Sequence, residues 1–221
     1  MEFLEARAAA ERLGVSERRV RALARSGQLR AQKVGGRWLV DPDAAARRLR
    51  SRDARGGRPV SVTNAWAALF LASGEQPAWL SDGIARRVQR RLLQRPLQEE
   101  LPRLDQRAKV RYFLGSQAAS DEVHRHRRFV ASGVSAANEY GADIVAPGVV
   151  EGYLPKEEVD RLAHLFALRE VEELRANIIL HAAEHWPFDD RRIAPRAVVA
   201  ADLALSVSDR TRLAGERLLR S

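Results

Sequence analysis

The stretch from Ala8 to Leu23, AAAERLGVSERRVRAL, decides the fold of the N-terminal part of the chain. Its first apolar residues recur at helical spacing, which predicts a helix over Glu5–Leu13. Gly14 follows at the position where a left-handed residue ends a helix. Ser16 is an N-cap residue for a second helix, so the stretch predicts two short helices joined by a turn, a helix-turn-helix.

The second helix, expected over Glu17–Ser26, is the candidate DNA-reading element. Val20, Leu23 and Ala24 share one apolar stripe, and the opposite side is basic. A helix in the ~12 Å wide major groove presents such a face, where Arg forks bond guanine edges or phosphates and a hydroxyl bonds a phosphate. The alternative is an ordinary solvated basic face. The predicted DNA contacts here are Ser16, Arg18, Arg19, Arg21 and Arg25.

A β-hairpin is expected after these helices. The β-prone runs Leu29–Val34 and Arg37–Val40 flank two adjacent glycines, which is typical of a tight turn. Lys33 and Arg37 flank its tip, and we predict that they contact the phosphate backbone or the minor groove. Trp38 is expected to anchor the hairpin in the core rather than to stack on a base.

A third helix is expected to begin at Asp41-Pro42-Asp43, with Ala44, Ala45 and Leu49 on its inner face. Together with the hairpin, it completes a winged helix-turn-helix.

Charge is unevenly distributed along the 221 residues, whose formal net charge is +9. Residues 1–58 carry net +8, residues 59–128 net +5 and residues 129–221 net −4. Such asymmetry favours a polyanion-binding N-terminal module. We predict a winged helix-turn-helix DNA-binding domain over 1–50, a Gly- and Pro-containing linker over 51–59, and a domain for dimerisation or partner binding over 60–221.

Several function classes are excluded or disfavoured. The absence of cysteine excludes disulfides, thiolate zinc sites and cysteine nucleophiles. His181 and His185 have a spacing that can place two imidazoles on one helix face, but a third ligand is not in register. We find no phosphate-cradling glycine loop and no Gly-x-Ser-x-Gly motif, so we expect no catalytic, metal or cofactor site and no enzyme.

The expected location is cytoplasmic, at the nucleoid. No apolar window is long enough to span a bilayer, and the N-terminus lacks the pattern of a signal peptide.

The larger C-terminal domain is expected to be mixed, so the fold class of the chain is α+β and mainly helical. Strands are predicted over 109–114, 144–145 and 177–180, and helices over 63–72, 82–95, 156–168, 196–205 and 210–220. The helix over 82–95 has either a solvated face or a second phosphate-contacting face, formed by Arg86, Arg87, Arg90 and Arg91.

The runs 8–23 and 26–38 together resemble the excisionase-like, MerR-type winged helix-turn-helix, over about the first quarter of the chain. The resemblance implies a second helix in the major groove and a wing on the backbone, with these roles on Ser16, Arg18, Arg19, Arg21, Lys33 and Arg37. Such modules often have Thr and an aromatic residue where this chain has Arg19 and Arg21. The operator preference of the family is therefore not carried over.

A weaker resemblance links residues 65–70, 131–137, 194–203 and 208–210 to the C-terminal part of AbiEi-like antitoxins. It implies a cognate toxin of the nucleotidyltransferase type. We expect a sequence-specific double-stranded DNA-binding regulator, an antitoxin that represses its own operon, acting as a homodimer. The alternatives are an excisionase-type architectural protein that bends DNA and a DNA-targeted nuclease.

Overall fold

The computed structural model describes residues 3–25, 29–42, 44–46 and 60–220. The chain divides into two compact units, Met1–Arg58 and Pro59–Ser221, each with its own hydrophobic core. The predicted linker over 51–59 lies outside the described residues. No helix in the described ranges is long and apolar enough to cross a membrane. A helix-turn-helix unit followed by a larger α/β unit confirms the expected fold class.

The described residues of unit 1 form two complete helices, the start of a third, and a small antiparallel sheet with the strand order β1-β3-β2. Its elements are β1 (Leu4–Glu5), α1 (Ala6–Leu13), α2 (Glu17–Arg25), β2 (Ala31–Val34) and β3 (Arg37–Val40). The first helix begins one residue later than predicted because Glu5 pairs with Leu39 in the sheet.

The predicted turns of unit 1 are confirmed. Gly14 is left-handed, with φ of 58°, and ends α1. The Ser16 hydroxyl accepts a hydrogen bond from the Arg19 amide at 3.3 Å, as an N-cap does. Gly35 and Gly36 have φ of 55° and 83°, the backbone that a tight hairpin turn requires.

The third helix starts as predicted, because the Asp41 carboxylate accepts from the Ala44 amide at 3.2 Å. Ser26, the expected end of α2, and Leu49 of the third helix lie outside the described residues.

Unit 2 is built on a five-stranded sheet in the order β5-β6-β8-β4-β7, in which β6 and β8 are parallel and the other pairs are antiparallel. The strands are β4 (Lys109–Leu114), β5 (Val130–Ala131), β6 (Val150–Pro155), β7 (Arg169–Glu170) and β8 (Ile178–Ala183). The helices are α3 (Val62–Ala72), α4 (Asp82–Gln94), α5 (Leu97–Leu104), α6 (Gln117–Arg125), α7 (Gly133–Ala136), α8 (Lys156–Leu165), α9 (Arg196–Leu205) and α10 (Asp209–Leu218).

Helices cover both faces of this sheet. Successive side chains of a strand point to opposite faces. On one face, Arg111 of β4 pairs with Asp160 of α8. On the other face, Tyr153 of β6 and His181 of β8 stand side by side and meet Asp202 of α9.

Several predictions in unit 2 need correction. Residues 144–145 form no strand. The strand expected over 177–180 is Ile178–Ala183, and the helix expected over 156–168 ends at Leu165, before Ala167 adopts a left-handed φ of 48°. Helices α5 and α6 and strand β6 were not expected.

Candidate nucleic-acid interface

The exposed side of α2 is set by the burial of its other side. Val20 and Leu23 are buried in the unit 1 core, against α1 and β3. Burial of a large apolar side chain stabilises a fold by about 1.5–3 kcal/mol, which fixes the rotation of the helix about its own axis. The opposite side is exposed and presents Arg18, Arg19, Arg21, Ala22 and Arg25.

A basic groove, hereafter the wing groove, lies between α2 and the hairpin. Its volume is about 430 Å³. Arg21 and Arg25 line it from α2, and Lys33 and Arg37 line it from the two strands of the wing. Four of the seven predicted DNA-contacting residues therefore converge on one concave surface, although the two elements are separated in sequence.

Ion pairs divide the basic side chains of α2 and the hairpin into two groups. Glu17 pairs with Arg21, and Glu5 pairs with Arg37 at 3.2 Å. Among the residues that the structure describes, Arg18, Arg19, Arg25 and Lys33 have no ion-pair partner. These four guanidinium and ammonium groups are available to an anion without breaking an existing pair.

Ser16 and Trp38 have structural roles as well as exposed surface. The Ser16 hydroxyl oxygen accepts the capping bond, which leaves its hydrogen available to a phosphate oxygen. Trp38 is half-buried and packs against the unit 1 core, as expected of a core anchor, and its remaining surface lines the wing groove.

A second basic face lies on α4 of unit 2. Arg86, Arg87 and Arg90 are exposed, and no ion pair to any of them occurs in the described ranges. Arg91 is different, because its guanidinium binds the carboxylate of Glu100, a buried residue of α5. Arg91 is thus held in an ion pair within unit 2, whereas the other three arginines are exposed to solvent.

A buried polar network in unit 2 was missed by the sequence analysis. The Arg107 guanidinium binds the Asp202 carboxylate and donates from Nε to the Tyr153 hydroxyl at 3.0 Å. The Tyr153 hydroxyl donates to Asp202 at 2.8 Å, and Ser132 donates to the other oxygen of that carboxylate. The sequence signal was a single acid, Asp202, in a helix whose other residues after Arg196 are all apolar.

His181 extends this network and is not part of a helical metal-binding pair with His185. It lies on strand β8, and residue 185 follows the end of that strand. Its Nε2 is 3.0 Å from Glu151 Oε1, and its Nδ1 is 3.7 Å from Asp202 Oδ1. In the described part of the chain, no group of three His, Asp or Glu side chains is arranged to hold a metal ion.

Burial lowers the pKa of His181, but the charge of Asp202 and the hydrogen bond to Glu151 outweigh it, so the pKa is raised above 6.5. The protonated imidazole therefore stabilises the folded state. This contribution is fully present below pH 6.5 and is lost as the pH rises through the pKa of the folded protein.

We expect the stability advantage of the natural chain over a His181→Gln variant to be largest below pH 6.5 and to decrease at higher pH. Urea unfolding at pH values on both sides of 6.5 measures it. His126→Gln is the control, because burial lowers the pKa of His126 and its contribution changes in the opposite direction. An advantage of His181 that stayed constant or grew with pH would contradict the assignment.

Comparison with protein families supports the assignment of unit 1. Residues 3–52 match the family model of a helix-turn-helix domain, of the excisionase-like kind. This match indicates DNA binding by the N-terminal unit. No curated protein and no solved structure matches the chain.

Proposed function

We propose that this protein binds double-stranded DNA in a sequence-specific manner and regulates transcription, with α2 in the major groove. The observation that carries the proposal is the wing groove, where α2 and the hairpin bring Arg21, Arg25, Lys33 and Arg37 together. The helix-turn-helix match of residues 3–52 supports it. No catalytic step is part of the proposal.

The wing groove suits one strand of the DNA backbone. When a helix enters the major groove and a hairpin reaches the neighbouring groove, the sugar-phosphate strand between the two DNA grooves passes between these elements. Phosphate contacts fix the register of a protein on the duplex and carry no base information. We assign Arg25 and Lys33 to this strand, because they lie on opposite sides of the wing groove and form no ion pair with any residue that the structure describes.

Arg18 and Arg19 are assigned to base reading. They lie in the first turn of α2, exposed and outside the lining of the wing groove. The N-terminal residues of a recognition helix are those that contact base edges in helix-turn-helix complexes. A guanidinium fork matches the O6 and N7 atoms of guanine, which an ammonium group does not.

Arg18→Lys and Lys33→Ala separate these two roles. Arg18→Lys keeps the positive charge and loses the two parallel N–H donors of the guanidinium. It should therefore weaken the binding free energy by about 1–3 kcal/mol on the operator and by little on random DNA. Lys33→Ala should weaken binding to both duplexes alike. Fluorescence anisotropy with a duplex from the protein's own promoter and a shuffled duplex measures the difference. Equal losses on both duplexes for Arg18→Lys would show that Arg18 does not read a base.

We further propose that Arg86, Arg87 and Arg90 of α4 supply additional phosphate contacts. The proposal is supported by the exposure of these three side chains and by the absence of ion pairs to them within the described ranges. Arg91 is not included, since its guanidinium joins α4 to the buried Glu100. A solvated face remains the competing interpretation, and the salt dependence of binding distinguishes the two.

We also propose a more specific function for the protein. It is an autoregulating antitoxin whose C-terminal part binds a cognate nucleotidyltransferase-type toxin or a second copy of the chain. The AbiEi-like sequence patterns support it, as does the net charge of −4 over residues 129–221, which suits a basic protein surface better than DNA. Co-expression with a nucleotidyltransferase from the adjacent gene, followed by gel filtration, tests it. DNA bending without repression favours the excisionase-type alternative, and metal-dependent cleavage favours the nuclease.

A further inference from the structure

A cavity of about 200 Å³ opens on the face of the unit 2 sheet that carries Glu151 and His181. The strand register places Val110, His181 and Tyr153 in one cross-strand row and Tyr112, Ile179 and Glu151 in the next. All but Tyr153 line the cavity, together with the end of α9 and the beginning of α10. Val110 and Leu174 are lining residues that are 36% and 60% exposed, so solvent reaches the cavity.

Acidic groups dominate the charge of the cavity wall. Asp105, Glu151, Glu173 and Asp202 line it, against one guanidinium, that of Arg107, and the imidazole of His181. The formal charge of the lining is negative even when that imidazole is protonated. In a site with low-dielectric walls, a negative potential concentrates cations.

One of these carboxylates is held in place by the backbone. Glu151 Oε2 accepts from the Val134 amide at 2.8 Å, and Oε1 lies 3.0 Å from His181 Nε2. Gly133 has a φ of 49°, and a Cβ at this position would lie 2.0 Å from the Glu151 carboxyl group. Only glycine lets the carboxylate occupy this position. A carboxylate has about four acceptor sites, so these two partners leave room for a ligand donor.

The remaining wall is largely apolar. Val134, Val149, Ile179 and Leu205 line it, with the ring of Tyr112. Ligand sites commonly combine such an apolar lining with a few polar groups that fix orientation. The volume is below the ~300 Å³ of drug-sized sites, so a fragment-sized molecule fits.

We propose that this cavity binds a small organic cation, a guanidinium or primary ammonium group on a short apolar stem. The cationic head lies against the carboxylates of Glu151 and Glu173, and the stem contacts the valine and isoleucine side chains. A guanidinium is preferred, because its planar fork matches carboxylate oxygens. The site belongs to unit 2 alone and does not depend on DNA binding by unit 1.

The test compares n-butylguanidinium with n-butylurea, its neutral counterpart of the same shape, by calorimetric titration of the full chain. We expect n-butylguanidinium to bind at least about tenfold more tightly, because burying a cation against carboxylates adds charge-assisted hydrogen bonds. Glu173→Gln should reduce this preference severalfold. The glutamine amide oxygen can still accept the hydrogen bond from the Val207 amide, which Glu173 accepts at 2.8 Å in the natural chain. Glu184→Gln, a change of an exposed carboxylate outside the cavity, should leave it unchanged.

A second variant blocks the cavity without changing its charge. Val110→Trp adds a large ring at a strand position, where aromatic residues are well tolerated, and should abolish binding of n-butylguanidinium while the urea unfolding midpoint is retained. Equal affinity for the two probes, or undiminished binding in both Glu173→Gln and Val110→Trp, would overturn the proposal.

Discussion

Raising the salt concentration from about 50 to about 200 mM should lower the affinity of the full chain for duplex DNA by about 10³-fold or more. Each neutralised phosphate contributes about −0.9 to the slope of log K against log salt, because condensed counterions are released. The six basic side chains of α2 and the wing predict a slope of about −5. They are Arg18, Arg19, Arg21, Arg25, Lys33 and Arg37.

The same measurement decides the role of α4. If Arg86, Arg87 and Arg90 also contact phosphates, the slope of the natural chain approaches about −8, and replacing all three by Gln returns it to about −5. Arg125→Gln, a change of an exposed Arg paired with Asp121 and Glu122, is the matched control in unit 2. A slope near zero for the natural chain would remove the proposal of DNA binding altogether.

The ion pairs of the wing groove refine the expected slope. Arg21 and Arg37 must leave Glu17 and Glu5 to bind a phosphate, whereas Arg25 and Lys33 need not. Exposed ion pairs contribute only about 0–1 kcal/mol, so these exchanges cost little. Arg21 and Arg37 therefore still count among the six contacts behind the expected slope of about −5.

Unit 1 was predictable because its signals are local. A left-handed glycine, an N-cap serine and a Gly-Gly turn each act over a few residues, and Gly14, Ser16, Gly35 and Gly36 adopt the expected roles. The ion pair between Glu5 and Arg37 could not be predicted. It depends on the pairing of β1 with β3, which brings together residues far apart in sequence.

Unit 2 was less predictable because its strands are specified by long-range pairing. The segment at 144–145 has β-prone residues but pairs with no strand in the part of the chain that the structure describes, whereas β6 contains Gly152 and Pro155 and is still a central strand. A Cβ at residue 152 would lie 2.5 Å from the ring of Phe129, so this glycine permits close packing that no local propensity indicates. Tertiary context overrides β-propensity in both cases.

The buried polar network of unit 2 was the feature that could least be predicted from the sequence. Arg107, Tyr153 and Asp202 come from a 3₁₀ turn, a strand and a helix, and their hydrogen bonds join segments up to 95 residues apart. Burial lowers the pKa of Arg107, but the interactions with Tyr153 and Asp202 outweigh it and raise the pKa, so the guanidinium is charged at any working pH. The network thus contains a permanent buried cation that requires its carboxylate.

Arg107→Met should therefore lower the free energy of unfolding of unit 2 by about 3–5 kcal/mol, because it leaves the Asp202 carboxylate buried without its counter-ion. Three of the four tryptophans, Trp66, Trp79 and Trp186, lie in unit 2, so tryptophan fluorescence in a urea titration reports this transition. Arg125→Met, a change of an Arg whose side chain is 63% exposed, is the control and should change stability by less than about 0.5 kcal/mol.

Arg107→Lys provides a graded comparison within the same site. It keeps the positive charge and loses the fork that joins Asp202, Tyr153 and the carbonyl of Leu104, which the Nη1 atom of Arg107 binds at 3.0 Å. Its loss of stability should fall between those of Arg107→Met and Arg125→Met, and it remains measurable if the Met variant does not fold. A Met variant within about 1 kcal/mol of the natural chain would mean that Tyr153, Ser132 and the imidazole of His181 compensate the buried carboxylate.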